Sequence, residues 1–466
     1  MPTFAAEKLA TWTGGTWSPF PTGPLRGFTQ DTRTLAAGQV FVALSTGKRD
    51  GHDFLGEARA RGAAAALVGR PVTGDPLPQL VVADPLAAFQ QIAREHRREF
   101  HGPVVGVTGS VGKTSTKDLL ALLLGGVGPG QPAAGPTGVL ATAGNLNNHL
   151  GIPLTLTRLD PAAHRMAVVE AGINSPGEMR AYADMIEPDH AIVTLVAPAH
   201  LEKLGSLAGV AEEKVTLLRG VRRGGLQVFP VACWQHPVFH TLEQPLILVP
   251  ENEGMTRVTG RTVKFNVFHR PERTELRLDG RRTFILRRVS AGMAQNTALA
   301  LALASELGVD DATLQARLEQ WVPTKWRGEV RRHGEATVYA DFYNANPASM
   351  ADAVDAFNGA VRADLPRLYV LGCMEELGAA AADYHRQFGR TLLLRPGDHL
   401  LAIGDQAAAL REGLLQNGND PSQVAVITDL APVRERLTGF TGAVFLKGSR
   451  RYQLETLLEP QTTGAH

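Results

Sequence analysis

The run Val104-Val105-Gly106-Val107-Thr108-Gly109-Ser110-Val111-Gly112-Lys113-Thr114 constrains the fold of this chain more than any other segment. Its first residues, apolar without alternation, read as a strand buried on both faces. Glycines follow at once, and a helix is predicted from about Lys113. A buried strand that enters a helix through a glycine turn belongs to a parallel sheet with helices over both faces. The turn carries chemistry as well. Glycines allow backbone N–H groups to converge on phosphate oxygens, and the helix N-terminus adds partial positive charge. Lys113 is placed to reach β- and γ-phosphates and Thr114 to hold Mg²⁺. The standard spacing has a glycine where Val107 stands, so the loop is a variant. The alternative is a glycine turn that binds nothing. The motif defines a nucleotide site but leaves the reaction open, since switches, kinases and transport ATPases share it.

The remaining patterning suggests an α/β protein of three domains, a number that 466 residues also favour. Residues 1–83 hold strand-like runs at Val40–Leu44 and Leu80–Val82 around a helical stretch from Phe54 to Ala65, a small N-terminal α/β domain. Apolar residues at helical spacing from Pro85 to Phe100 predict a helix leading into the next domain. Residues 84–322 form the central parallel-sheet domain of the phosphate loop, with further strands at Met166–Glu170 and His190–Leu195 and a closing helix at Ala291–Leu307. Gly125 to Gly138 reads as a loop. Residues 323–466 carry strands at Thr337–Ala340, Arg367–Leu371, His399–Ile403 and Ala443–Leu446 separated by helices, a C-terminal Rossmann-like domain.

Composition limits partners. Lys plus Arg is 47 against 46 Asp plus Glu, which gives no electrostatic case for nucleic acid or an anionic membrane. Cys233 and Cys373 are the only cysteines; they make neither a disulfide framework nor a metal spacing and fit a reducing compartment. The N-terminus lacks a secretory pattern, and runs such as Ala298–Ala304 are far shorter than the ~20 residues of a membrane span. The expectation is a cytoplasmic monomer.

The variant Thr-Gly-Ser-x-Gly-Lys-Thr loop resembles that of the Mur ligases, and further segments agree in order along almost the whole chain. They include Asp31-Thr32-Arg33, Asp50-Gly51-His52-Asp53-Phe54, Gly144-Asn145-Leu146-Asn147-Asn148, Glu170-Ala171-Gly172, Pro198-Ala199-His200-Leu201-Glu202 and Lys214. In the last region, Asp341-Phe342-Tyr343-Asn344-Ala345-Asn346-Pro347, Leu371-Gly372-Cys373-Met374-Glu375-Glu376-Leu377-Gly378 and Lys447-Gly448-Ser449-Arg450 are similar to segments of the members that add D-alanyl-D-alanine. The chain departs from the family at four places: Gly292-Met293 stands where His-Asn is usual, Ala340 where an acid is frequent, Cys373 where Asp is frequent, and Trp326 where glycine is usual.

The resemblance implies an ATP- and Mg²⁺-dependent ligase of peptidoglycan precursor synthesis. It would join D-alanyl-D-alanine to a UDP-N-acetylmuramoyl-tripeptide through an acyl phosphate. Its implied nucleotide site is Gly109, Ser110, Val111, Gly112, Lys113, Thr114, Ser115 and Asn296, with Arg327 on the phosphates and Asp341 on the ribose. Thr114 would hold a first Mg²⁺ and Glu170 and His200 a second, with Lys214 as a lysine that becomes carbamylated. Thr32 and Arg33 would anchor the uridine diphosphate, and Asn147, Asn148, Asn344 and Asn346 the peptide groups. Blander alternatives remain open: a solvated strand-end acid for Glu170, a capping histidine for His200, a surface lysine for Lys214 beside Glu212 and Glu213, an Arg327–Glu329 ion pair, a loop arginine for Arg33, and turn residues for the asparagines. Cys373 reads as a buried small hydrophobe. Rival readings are a diamino-acid-adding ligase of the same family and a P-loop regulatory protein without ligase activity.

Overall fold

The structure is a computed structural model and describes residues 1–127, 138–243, 245–252 and 257–458. Most of the loop predicted over Gly125 to Gly138 lies outside the described residues. Three sheets carry the architecture, of five strands between Thr16 and Val81, nine between Val104 and Arg287, and six between Glu329 and Lys447.

In the first, strands Phe28–Thr29, Val40–Val42, Ala65–Val68 and Gln79–Val81 run parallel and Thr16–Ser18 closes one edge antiparallel. The helix expected from Phe54 to Ala65 is shorter. A 3₁₀ turn, Gly51–Phe54, precedes the helix Leu55–Ala60, and Ala65–Val68 is a fully buried strand. Alanine favours helix locally, but burial between two strands decides the outcome.

Helix Pro85–Glu99 is started by Asp84, whose carboxylate accepts from the N–H groups of Leu86 and Ala87. It belongs to two cores. Ala88, Phe89 and Ile92 pack under the first sheet, whereas Ala93 joins the central core with Phe100. Arg97, fully buried, ties it to the central domain by bonds to the carbonyls of Ile186 (2.9 Å) and Glu187 (2.9 Å) and to Asp189 (2.8 Å).

The central sheet is parallel from Gly138–Ala141 through His164–Glu170, Val104–Thr108, His190–Val193, Gln227–Pro230, Leu246–Pro250 and Arg261–His269. It then turns antiparallel through Arg273–Leu278 and Arg282–Arg287, strands not expected from the sequence. Helices Lys113–Leu123 and Ala291–Glu306 cover one face, and Glu178–Ile186 and Leu207–Arg219 the other. The last sheet is parallel except for its edge strand Glu329–His333. Ligand-bearing positions of such sheets lie at the carboxyl ends of the strands. Here Glu170, Asp341 and Lys447 occupy those ends.

Candidate active site

Strand Val104–Thr108 delivers the phosphate loop, and two glycines make its course possible. Gly109 and Gly112 have φ of 149° and 80°. A Cβ at Gly109 would overlap the Thr194 hydroxyl, and one at Gly112 the Asn296 amide. The loop is pinned from the neighbouring strand. Ser110 N–H donates to Leu195 O (2.8 Å), Ser110 Oγ to Ala197 O (2.8 Å), and Thr194 Oγ1 to Val111 O (2.5 Å). Lys113 folds back so that Nζ donates to Gly109 O (2.8 Å). Burial pushes its pKa down; Glu170 opposes this, and Arg327 from the C-terminal domain reinforces it.

Glu170 is fully buried. Its Oε1 accepts from Thr114 Oγ1 (3.0 Å) and Asn147 Nδ2 (2.7 Å), while its Oε2 has no partner among the described residues. A buried carboxylate oxygen left without a donor is costly, so the solvated-acid alternative for Glu170 does not hold. Lys214 is 2 % exposed on helix Leu207–Arg219, which excludes a surface lysine. Glu212 and Glu213 are engaged elsewhere, with Arg219 and with the N–H groups of Gly177 and Met179. Burial drives the Lys214 pKa well below its usual value; nearby Lys113 adds to this, and Glu213, Glu178 and Glu170 oppose it.

One cavity of about 350 Å³ joins the loop 110–115 and Glu170 to the C-terminal domain, with Gly109 and Lys214 outside its lining. Ser110 to Ser115, Asn147, Glu170, His200 and Asn296 line it from the central domain, and Arg327, Asp341, Asn344, Asn346 and Lys447 from the C-terminal one. Lys447, 1 % exposed, donates to Asp341 Oδ2 (2.8 Å). The Arg327 guanidinium lies 4.0 Å from the centre of the Tyr343 ring. Glu329 accepts from Trp326 N–H (3.2 Å), and the alternative Arg327–Glu329 ion pair is not formed among the described residues. Asn346 caps helix Pro347–Ala360 and also reaches Ser110 O (3.5 Å) across the domain junction.

Some candidates lie elsewhere. Arg33 is exposed and held by its loop neighbour Asp31 (2.7 Å), beside buried Thr32, outside the cavity. Asn148 accepts from the N–H groups of Leu150 (3.1 Å) and Gly151 (2.9 Å), a local turn role. Cys373 is buried and its thiol is pushed up to about 12, which suits a packing residue.

Sequence reasoning missed Lys447 and Asp352 as cavity residues. Lys447 carried a signal, as a charged residue ending an apolar strand. Asp352 did not. It accepts from Gly292 N–H (2.8 Å), and a Cβ at Gly292 would lie 2.7 Å from its second oxygen. The glycine that departs from the family pattern thus makes room for an acid from the other domain.

A phosphate loop, a buried carboxylate with a free oxygen and a second α/β domain closing over both define an ATP-dependent ligase of the Mur type. The sequence matches the Mur ligase middle domain over residues 107–242 and the Mur ligase glutamate ligase domain over residues 326–450. The chain belongs to the Mur ligase family. It is 32% identical over 438 residues to the UDP-N-acetylmuramoyl-tripeptide–D-alanyl-D-alanine ligase of Escherichia coli, covering 92% of each chain. The enzyme of that name from Bacillus subtilis is 28% identical, over 93% of each chain. The crystal structure of MurF from Acinetobacter baumannii superposes with a TM-score of 0.83 at 27% identity, covering 98% of both chains.

Proposed function

We propose that this chain joins D-alanyl-D-alanine to the terminal carboxylate of a UDP-N-acetylmuramoyl-tripeptide at the expense of ATP. The observation that carries the reading is one cavity in which the loop 110–115 and Glu170, with its open oxygen, face Arg327, Asp341 and Lys447. Similarity along nearly the whole length to ligases of that name supports the choice of substrates.

A carboxylate is a poor electrophile. Transfer of the γ-phosphoryl group to it forms an acyl phosphate and ADP. The dipeptide amine then adds to the acyl carbon; phosphate departs, the amine proton is released and the amide bond remains. The chain's task is positioning and charge neutralisation. Loop N–H groups and Lys113 receive the phosphates, Arg327 approaches them from the opposite domain, and Asp341, steadied by Lys447, accepts from ribose hydroxyls. Closure of the two domains excludes water that would hydrolyse the acyl phosphate.

The donors present suit Mg²⁺. The Thr114 hydroxyl and Glu170 Oε2 are hard oxygens at the loop. No cluster of three His, Cys, Asp or Glu able to hold a metal occurs among the described residues; Mg²⁺ commonly keeps waters and phosphate oxygens in its shell. Glu170, Thr114 and His200 would hold it, and it would neutralise charge on the transferring phosphoryl group. Lys214 is suited to carbamylation. Its depressed pKa supplies the neutral amine that adds to CO₂ with loss of a proton, giving an anion beside the cation site.

The test is incubation of the chain with Mg·ATP, UDP-N-acetylmuramoyl-tripeptide and D-alanyl-D-alanine, with product masses recorded. Ligation is expected with the dipeptide, and none with Lys113→Ala. Nucleotide hydrolysis without product, or ligation of a diamino acid to the dipeptide precursor instead, would refute the reading.

A further inference from the structure

Two non-glycine residues with left-handed backbone meet at the seam between the central and C-terminal domains. His200 has φ 55° and Glu376 has φ 63°. Few side chains accept this region, and non-glycine residues held there cluster where the surroundings impose them for function. Here each strained residue contacts the other. The Glu376 carboxylate is bonded to His200 Nδ1, and Glu376 O accepts from Glu202 N–H (3.2 Å). Glu376 extends from the loop after strand Arg367–Gly372, the carboxyl end of the C-terminal sheet, whereas His200 precedes helix Leu201–Leu204 of the central domain. The contact therefore exists only when the two domains are together.

His200 lines the nucleotide cavity; Glu376 lines a second cavity next to it. With Nδ1 committed to the carboxylate, the free ring nitrogen is Nε2. An imidazole held this way has a fixed orientation and tautomer, the arrangement found behind metal-bound histidines.

We propose that Glu376 is a positioning residue that acts through His200: domain closure seats its carboxylate on Nδ1 and so presents Nε2 to the cation only in the closed enzyme. This rests on the Mg·ATP ligase reading given above. It explains why a glutamate is retained at a backbone position that favours glycine, and it couples assembly of the cation site to exclusion of water.

The test uses the full chain with Glu376→Gly, Glu376→Gln, His200→Ala and the Glu376→Gly/His200→Ala double variant. Glu376→Gly suits the local backbone, so its melting temperature is expected to equal or exceed that of the wild type. Its kcat is expected to fall about 10- to 100-fold. Mn²⁺ affinity, read by electron paramagnetic resonance with a non-hydrolysable ATP analogue, is expected to weaken by a similar factor of about 10 to 100. Nucleotide affinity without the metal stays the same, and Glu376→Gln retains part of both losses. In the His200→Ala background, Glu376→Gly costs nothing more. Wild-type kcat and Mn²⁺ affinity in Glu376→Gly, or losses that multiply in the double variant, overturn the proposal. A wild-type chain that binds Mn²⁺ with the analogue yet does not ligate overturns the ligase reading instead, and the Mn²⁺ comparison still decides the role of Glu376.

Discussion

Replacing Gly112 by alanine tests the phosphate loop through one methyl group. Gly112 sits at φ 80°, where an L-residue costs about 1–2 kcal/mol. The new Cβ also falls on the side-chain amide of Asn296, which is 7 % exposed and has little room to retreat. Forcing that side chain off its rotamer costs about 0.5–1.5 kcal/mol, so the sum is about 1.5–3.5 kcal/mol. The strain is local, and amide hydrogen exchange in helix Lys113–Leu123 followed by mass spectrometry reads it as a lowered opening free energy. The two contributions separate in a double variant. Gly112→Ala with Asn296→Ala removes the overlap but not the backbone strain, so it is expected to lose about 1 kcal/mol less than the two single losses added together. A loss below about 0.5 kcal/mol for Gly112→Ala, or strict additivity, would refute the described loop geometry.

Arg97→Met removes the guanidinium that joins helix Pro85–Glu99 to the central domain. It leaves Asp189 and the carbonyls of Phe100, Ile186 and Glu187 short of a donor, and urea denaturation is expected to show a loss of about 3–5 kcal/mol. Lys214→Met removes a buried amine whose protonation burial opposes. Because the folded pKa of Lys214 is lowered from 10.5, the unfolded chain binds more protons, and wild-type stability rises with pH between the folded value and 10.5. In CO₂-free buffer at neutral pH the variant is therefore expected to be about 1–4 kcal/mol more stable, with the gap closing toward pH 10.5 and ligation lost throughout; a less stable variant would count against the burial argument. Gly292→Ala pushes Asp352 aside and is expected to raise the KM for ATP several-fold, measured by initial rates, with the KM for the dipeptide unchanged.

Elements whose sequence agrees with their environment were legible in the chain. Val104–Thr108 and the turn after it could be placed residue by residue, because burial on both faces and the glycine spacing are local signals. Strands Arg273–Leu278 and Arg282–Arg287 were not read, although Thr274, Leu276 and Leu278 alternate with outward Arg273 and Arg277, as Phe284 and Leu286 do with Thr283, Ile285 and Arg287. That period of two is weak beside the longer apolar runs of the parallel strands. The predicted helix runs on as far as Ala65, the first residue of strand Ala65–Val68, because alanine's propensity points the wrong way there. In the site, strand-end charges such as Glu170 could be found from pattern. The pairs His200–Glu376 and Gly292–Asp352 could not, since they join positions 176 and 60 residues apart whose meeting depends on how two domains close.

The central claim is that the outermost phosphoryl group of ATP passes to a carboxylate held opposite Lys113. Labelling both oxygens of the tripeptide's terminal carboxylate with ¹⁸O tests it directly. Phosphate released during ligation is expected to carry one ¹⁸O atom for each amide formed, and phosphate free of label alongside normal product would contradict the account.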